Sequence, residues 1–253
     1  MIDRIVSIGC SHMYGSEIYG PETLEYSTPE SRELTFAGQV AKEFDLLHID
    51  LSTPGGSNTH IRETAIEWIA EQGNRPRTTL FLIGWTTFSR HYFYYDKPDK
   101  EDWDELGKIY HWAQGCNPES ASETIGHDVT NLFKHFQLYM TNDLYARKQR
   151  MADTIALASV FEKFKYPYVM LNSCSEWLDA DLQTDNHPVV GSKYKLMFPW
   201  NNFYQPYDSF VSSMIKIYPD NFSPHLHGDK IPHKNYSNGL AEFVRKLYFE
   251  EQQ

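Results

Sequence analysis

Cysteine is scarce in this sequence, long apolar runs are missing, and basic residues are outnumbered. The 253 residues hold three cysteines, Cys10, Cys116 and Cys174, an odd number at unrelated spacings. That usage fits neither a disulfide framework nor a zinc site. No apolar run approaches the ~18–20 residues of a membrane span. The opening segment MIDRIVSIGCSHMYG has only about five apolar positions before Gly9, too few for the core of a secretory signal. Lys and Arg number 23 against 34 Asp and Glu, a formal charge of −11. Such a balance supplies no field for phosphate and argues against general nucleic-acid binding. The expectation is a soluble protein of a reducing cytoplasm, with neither membrane nor nucleic acid as partner.

What is present is a chain long enough to bury a core without covalent staples, and a single domain over 1–253 is expected. Short β-branched or apolar runs at 4–8, 46–51, 79–83 and 168–172 read as buried strands. Between them, apolar residues at 34, 36, 37, 40, 41 and 44 make a helical stripe. Asn58 is placed to cap a helix over 59–71, and a helical pattern runs from Glu123 to Lys165 with a break near Met140–Asn142. Ser237–Phe249 closes the chain as an amphipathic helix. The stretches 85–120 and 173–235 read as long insertions, the second punctuated by prolines that include Pro224 and Pro232. Aromatic residues make up 15% of the chain, many of them in 85–112 and 194–222. Such loops line a glycan groove, cover a core or form a subunit contact. Strand–helix alternation with runs buried on both faces points to a three-layer α/β/α sandwich around a parallel sheet.

In open parallel sheets ligands gather at the carboxyl ends of the strands. The first three ends carry Gly9-Cys10-Ser11-His12, Pro54-Gly55-Gly56-Ser57-Asn58 and Gly84-Trp85-Thr86-Thr87. A serine directly after a strand is a candidate nucleophile when a histidine reaches it. The carboxyl-terminal His225, His227 and His233, with Asp229, offer a base and an orienting acid. His48, His111, His127 and His135 show no paired ligand spacing, so no metal site is expected from them.

The blocks GCSHMYG, PGGSN and FLIGWTT, with an Asp/His segment before the last helix, resemble the SGNH (GDSL-type) hydrolases, most of all versions in tailed-phage and bacterial genomes. The resemblance covers most of the chain and implies a flavodoxin-like fold. It implies an ester hydrolase working through an acyl-enzyme without metal or organic cofactor, on a small-molecule or glycan ester such as an O-acetyl group. By the same resemblance Ser11 is the nucleophile, His233 the base and Asp229 its orienting acid. The N–H groups of Ser11 and Gly55 belong to the oxyanion hole. Thr86 stands where the family usually carries an Asn donor, and Asn58 is the alternative donor. The family block Asp-x-x-His is one residue too long in Asp229-Lys230-Ile231-Pro232-His233, which makes His227 the alternative base. Asp185-Asn186-His187 lies too far from the final helix. Cys10 replaces the family's usual acidic residue and reads as a small space-filling side chain. His12 either touches substrate or only bonds the turn. Thr86 and the lengthened block keep a second reading open: a catalytically decayed structural or binding protein, such as a phage virion or assembly component, with self-association. A carbohydrate-binding role for the loop aromatics is a third.

Overall fold

Apolar runs too short for buried helices, each stopped by glycine or a polar turn, pair side by side. The computed structural model describes residues 2–19, 28–72, 78–88, 90–95, 108–112, 143–175 and 196–250. In chain order the strands are β1 (Arg4–Gly9), β2 (Leu47–Asp50), β3 (Thr79–Trp85), β4 (His91–Tyr95), β5 (Lys108–Trp112), β6 (Tyr168–Asn172) and β7 (Phe203–Tyr204). The described helices are α1 (Ser11–Tyr14), α2 (Pro29–Leu34), α3 (Phe36–Glu43), α4 (Asn58–Gln72), α5 (Asp143–Phe164), α6 (Phe210–Ile215) and α7 (Lys230–Tyr248). Five strands form one sheet in the order β2-β1-β3-β6-β7, and every neighbouring pair is parallel. Counted within the sheet, this is the doubly wound order 2-1-3-4-5 of flavodoxin-like folds.

The side-chain alternation of each strand divides the core in two. Val6, Ile8, Phe81, Ile83 and Trp85 pack against α4 and α5 through Ile61, Ala65, Met151 and Phe161. Ile5, Leu80, Leu82 and Val169 face the opposite way, onto α3 and α7 through Phe36, Val40, Leu240 and Val244. Each such side chain contributes roughly 1.5–3 kcal/mol when fully buried, so the two layers hold the sheet from both sides. Among the described residues no helix is long and apolar enough to cross a membrane.

Four local readings change. The stripe over 33–44 is two helices, because Thr35 leaves the helical backbone and accepts the Gly38 N–H as the cap of α3. Part of the supposed loop at 85–120 is the antiparallel pair β4–β5. The second insertion supplies the edge strand β7, which pairs with β6 through Phe203 and Tyr204. Helix α7 starts seven residues earlier than its apolar stripe suggests, at Lys230. Pro232 falls in its first turn, where a missing N–H costs nothing. The helical pattern at 123–142, Cys116, His127, His135 and the Asp185–His187 candidate lie outside the described residues.

Candidate active site

Strands β1, β3 and β6 end together, and glycine lets them approach. A Cβ on Gly84 would lie 2.4 Å from Ser173 Oγ and 2.5 Å from Met13 Cγ. Ser11 follows directly, as the first residue of α1, and is buried at the carboxyl edge of the sheet. The second block folds beside it: the Thr53 N–H donates to Gly9 O (3.0 Å), and Gly56 N–H closes the turn on Thr53 O (2.9 Å). Gly55 holds φ at 78°, the left-handed third position that a Pro-Gly type II turn requires. Among the described residues the Ser11 and Gly55 N–H groups are committed to no partner.

The histidine that reaches Ser11 is His227. Its Nε2 lies 2.8 Å from Ser11 Oγ, and its Nδ1 lies 3.0 Å from Glu17 Oε2. The same carboxylate oxygen accepts a short bond from the Ser223 hydroxyl. A carboxylate only accepts, so the imidazole proton sits on Nδ1 and Nε2 is left to take a proton from Ser11. Burial pushes the Glu17 carboxyl upward, but the Ser223 hydroxyl and His227 together outweigh it and hold it below its ordinary range. Burial lowers the His227 pKa, helped by the neighbouring His12 and opposed by Glu17 and Cys10. The imidazole is therefore neutral, and the Glu17 carboxyl ionised, near neutral pH.

Two left-handed residues aim this relay. Glu17 has φ 60° and Leu226, the residue before His227, has φ 64°; such conformations cost a non-glycine residue roughly 1–2 kcal/mol. Ser223 organises the second turn: its N–H donates to His227 O (2.9 Å), and its Oγ accepts from the His227 N–H (3.2 Å).

His233 and Asp229, expected as base and orienting acid, sit elsewhere. Because α7 begins at Lys230, His233 lies on its first turn and faces α3, not the loop above Ser11. It is 1% exposed, stacks on Phe36 with ring centroids 5.4 Å apart, and packs on Phe210 at 4.6 Å. Its Nδ1 accepts the Phe36 N–H (3.1 Å), one of the orphan amides at the start of α3. Asp229 is the cap of α7, accepting from the Ile231 N–H (2.7 Å) and the Asn221 amide (2.8 Å).

Asn58 does not cap its helix. Ser57 does so, accepting the His60 N–H at 3.2 Å. The Asn58 amide spans to the third block instead, accepting from Thr86 N (2.9 Å) and donating to Thr87 O (3.2 Å). Thr86 is fully buried, with its N–H held by Asn58 and its hydroxyl 3.6 Å from Cys174 Sγ. Neither side chain therefore stands ready as a third oxyanion donor. His12 packs beside His227, ring centroids 4.9 Å apart, and Cys10 is wholly buried. The aromatics Phe198, Phe203 and Phe210 are core side chains, at most 4% exposed.

Glu17 was invisible to sequence reasoning: it is an ordinary acid in a polar stretch, six residues after Ser11, with no spacing rule behind it. The signal for His227 was its place in the carboxyl-terminal histidine segment, which does not separate it from its neighbours.

Burial of His233 sets an expectation for stability. Desolvation, with His12 and His227 adding to it, lowers its pKa from 6.5 to about 3. In the unfolded chain it takes a proton below about 6.5, whereas in the fold it stays neutral down to about 3. The unfolded state then binds the extra proton, so His233 destabilises the fold progressively as pH falls from 6.5 toward 3, by up to about 1.4 kcal/mol per pH unit. Denaturant midpoints of the native chain and His233→Asn, whose amide oxygen can still accept the Phe36 N–H, should show a shallower acid decline in the variant. Equal slopes would exclude this contribution.

No family model and no curated protein matches the sequence. The fold is similar to that of solved esterases. An acetyl xylan esterase, Est2A, from the rumen bacterium Butyrivibrio proteoclasticus is 14% identical with a TM-score of 0.50, over 98% of this chain and 65% of that one. A psychrotrophic esterase, EstA, from Pseudoalteromonas sp. is 12% identical with a TM-score of 0.46, over 98% and 100%. A carbohydrate esterase family 2 enzyme of Corynascus thermopiles (Myceliophthora fergusii), with a carbohydrate-binding domain, is 10% identical with a TM-score of 0.49, over 96% and 66%. The chain thus spans just under two thirds of each of the two carbohydrate esterases, and at these identities the likeness is one of fold.

Proposed function

We propose that this chain is a serine ester hydrolase of the SGNH type, acting through an acyl-enzyme on a small carboxylic ester, with O-acetylated glycan as the substrate class. The observation that carries the reading is the continuous relay from Glu17 through His227 to Ser11, with both links at hydrogen-bond length. The shared fold with Est2A supports the glycan ester, since that protein is an acetyl xylan esterase. In this reading Ser11 Oγ attacks the acyl carbon as its proton passes to His227 Nε2. Glu17 fixes the imidazole tautomer and stabilises the imidazolium. The Ser11 and Gly55 N–H groups receive the developing oxyanion. His227 returns its proton to the leaving alcohol, and a water activated by the same nitrogen cleaves the acyl-enzyme. With the Thr86 and Asn58 side chains occupied, no third donor is seen among the described residues, and one such donor is worth about 10²–10³ in rate. Turnover is therefore expected to be modest.

The test uses a fluorophosphonate, which needs no knowledge of the true substrate. Stoichiometric labelling of the folded protein, mapped to Ser11 by peptide mass spectrometry, is the expected result. A folded protein that resists labelling would remove the case for catalysis. The pH profile gives a second check. The titratable groups near His227 include His12, His233, Glu17 and Cys10, and burial and His12 prevail in lowering its pKa. Hydrolysis of a short-chain aryl ester should rise with pH and reach half its plateau below the ordinary imidazole value of ~6.5. A midpoint above that value, or a flat profile between about pH 5 and 8, contradicts a desolvated neutral base.

A further inference from the structure

We propose that Cys10, His12 and Cys174 form a binding site for a thiophilic divalent cation, zinc, at the carboxyl edge of the sheet beside Ser11. Each residue offers one ligand atom, and these three atoms all lie within 4.8 Å of one another. The two sulfurs are 3.6 Å apart and belong to free cysteines. A tetrahedral zinc with Zn–S bonds of ~2.3 Å places its sulfur ligands ~3.8 Å apart, so the pair needs almost no movement. The second observation comes from His12, a side chain only 5% exposed whose Nδ1 is buried without a hydrogen-bond partner among the described residues. A buried imidazole nitrogen left in this state is costly, and a cation would satisfy it.

The chemistry suits a soft metal. Two thiolates and one imidazole are a borderline-soft donor set that favours zinc over magnesium or calcium. Two thiolates also cancel the charge of a divalent ion, which makes its burial tolerable. Burial, with the bond to Cys174, pushes the Cys10 thiol up to about 12 against the opposing charge of Arg90, so its proton leaves only as the ion binds. On binding, two S–H bonds give way to two Zn–S bonds. Both protons pass to the buffer, and no atom changes oxidation state. Cys174 is the more exposed of the two cysteines. Three protein ligands leave the fourth position to water. Cys10 and His12 flank Ser11, so the ion would tie the turn at the end of β1 to the segment after β6. This inference does not depend on the esterase reading.

The test is cobalt substitution in the full chain, reduced with a phosphine and freed of metal by a chelator. One equivalent of Co²⁺ should produce thiolate-to-cobalt charge-transfer absorption in the near ultraviolet and the visible bands of a tetrahedral centre. One equivalent of Zn²⁺ should abolish both, and it should slow alkylation of Cys174 by about tenfold or more, since the free thiolate is the reactive form. Cys174→Ser should weaken the charge-transfer absorption, and His12→Gln should lower affinity. Cys116→Ser should change neither. Because Cys10 is wholly buried, the partly exposed Cys174 is the decisive position. The proposal fails if the reduced protein takes up no cobalt, or if the spectrum is unchanged in Cys174→Ser. It also fails if Cys10 and Cys174 are recovered as a disulfide while the reduced protein binds no ion. Failure of fluorophosphonate labelling would leave the metal readout untouched, so the two assignments are separable.

Discussion

On the proposed reading, Ser11→Ala and His227→Ala are each expected to lower esterase turnover by at least about 10³-fold, while His233→Asn stays within a few-fold of the native chain. The first loses the oxygen proposed to become acylated. The second loses the group that lies 2.8 Å from that oxygen. His233 offers Ser11 nothing, because its Nδ1 is already bonded to the Phe36 N–H and its ring is closed in between Phe36 and Phe210. Ser11→Ala removes one hydrogen bond at a turn and no core packing, so unfolding free energy should change by about 1 kcal/mol or less. The measurement is steady-state hydrolysis of a short aryl ester beside a denaturant curve for each variant. Loss of activity in His233→Asn with a native-like curve, or full activity in His227→Ala, would reverse the assignment of the base. The double variant Ser11→Ala/His227→Ala should be little worse than either single one, since the two side chains act as one unit.

Glu17→Gln is expected to lower turnover by about 10²–10⁴-fold with much smaller change in KM. An amide at this position can donate to His227 Nδ1 and select the tautomer whose Nε2 carries the proton, which cannot then take one from Ser11. The carboxylate also raises the His227 pKa against the lowering effect of burial. The ascending limb of the pH profile should therefore move to lower pH in the variant, a shift that a purely structural role would not produce. Asp229→Asn is the control: it keeps a capping side chain on α7, and the catalytic rate should hardly respond. A Glu17→Gln variant with native kcat, or an Asp229→Asn variant with a collapsed kcat and a native fold, would return the orienting role to Asp229. Ser223 also bonds to Glu17 and to the His227 backbone. Its replacement by Ala should lower kcat less than the loss of Glu17 does, since the hydrogen bond from Glu17 to His227 remains.

Strand runs, the Ser11 turn and the Gly55 turn were legible because they are local. A β-branched run bounded by glycine announces a strand whatever surrounds it, and Pro54-Gly55 specifies a turn by its own φ values. Helix ends were less legible, since Thr35 and Asp229 act as caps through single hydrogen bonds that composition does not reveal. The two-residue strand β7 was hidden because it is defined by its partner, not by its own pattern.

The sequence by itself determined the alternation that makes a parallel sheet, and it put a serine at the end of the first strand. Tertiary structure alone chose among the three terminal histidines. His233 and His227 are six residues apart, but the onset of α7 turns the first into the core, while the left-handed Leu226 turns the second toward Ser11. It also recruited Glu17, whose φ of 60° carries a nearby acid back onto the imidazole. Cys10 and Cys174 are 164 residues apart in sequence, with no spacing to pair them. They meet because β1 and β6 both flank β3, and because Gly9 and Gly84 leave room where those strands end. Local chemistry fixes which elements form; which side chains converge depends on strand order and on the close approach of backbones, and neither is written at any one position.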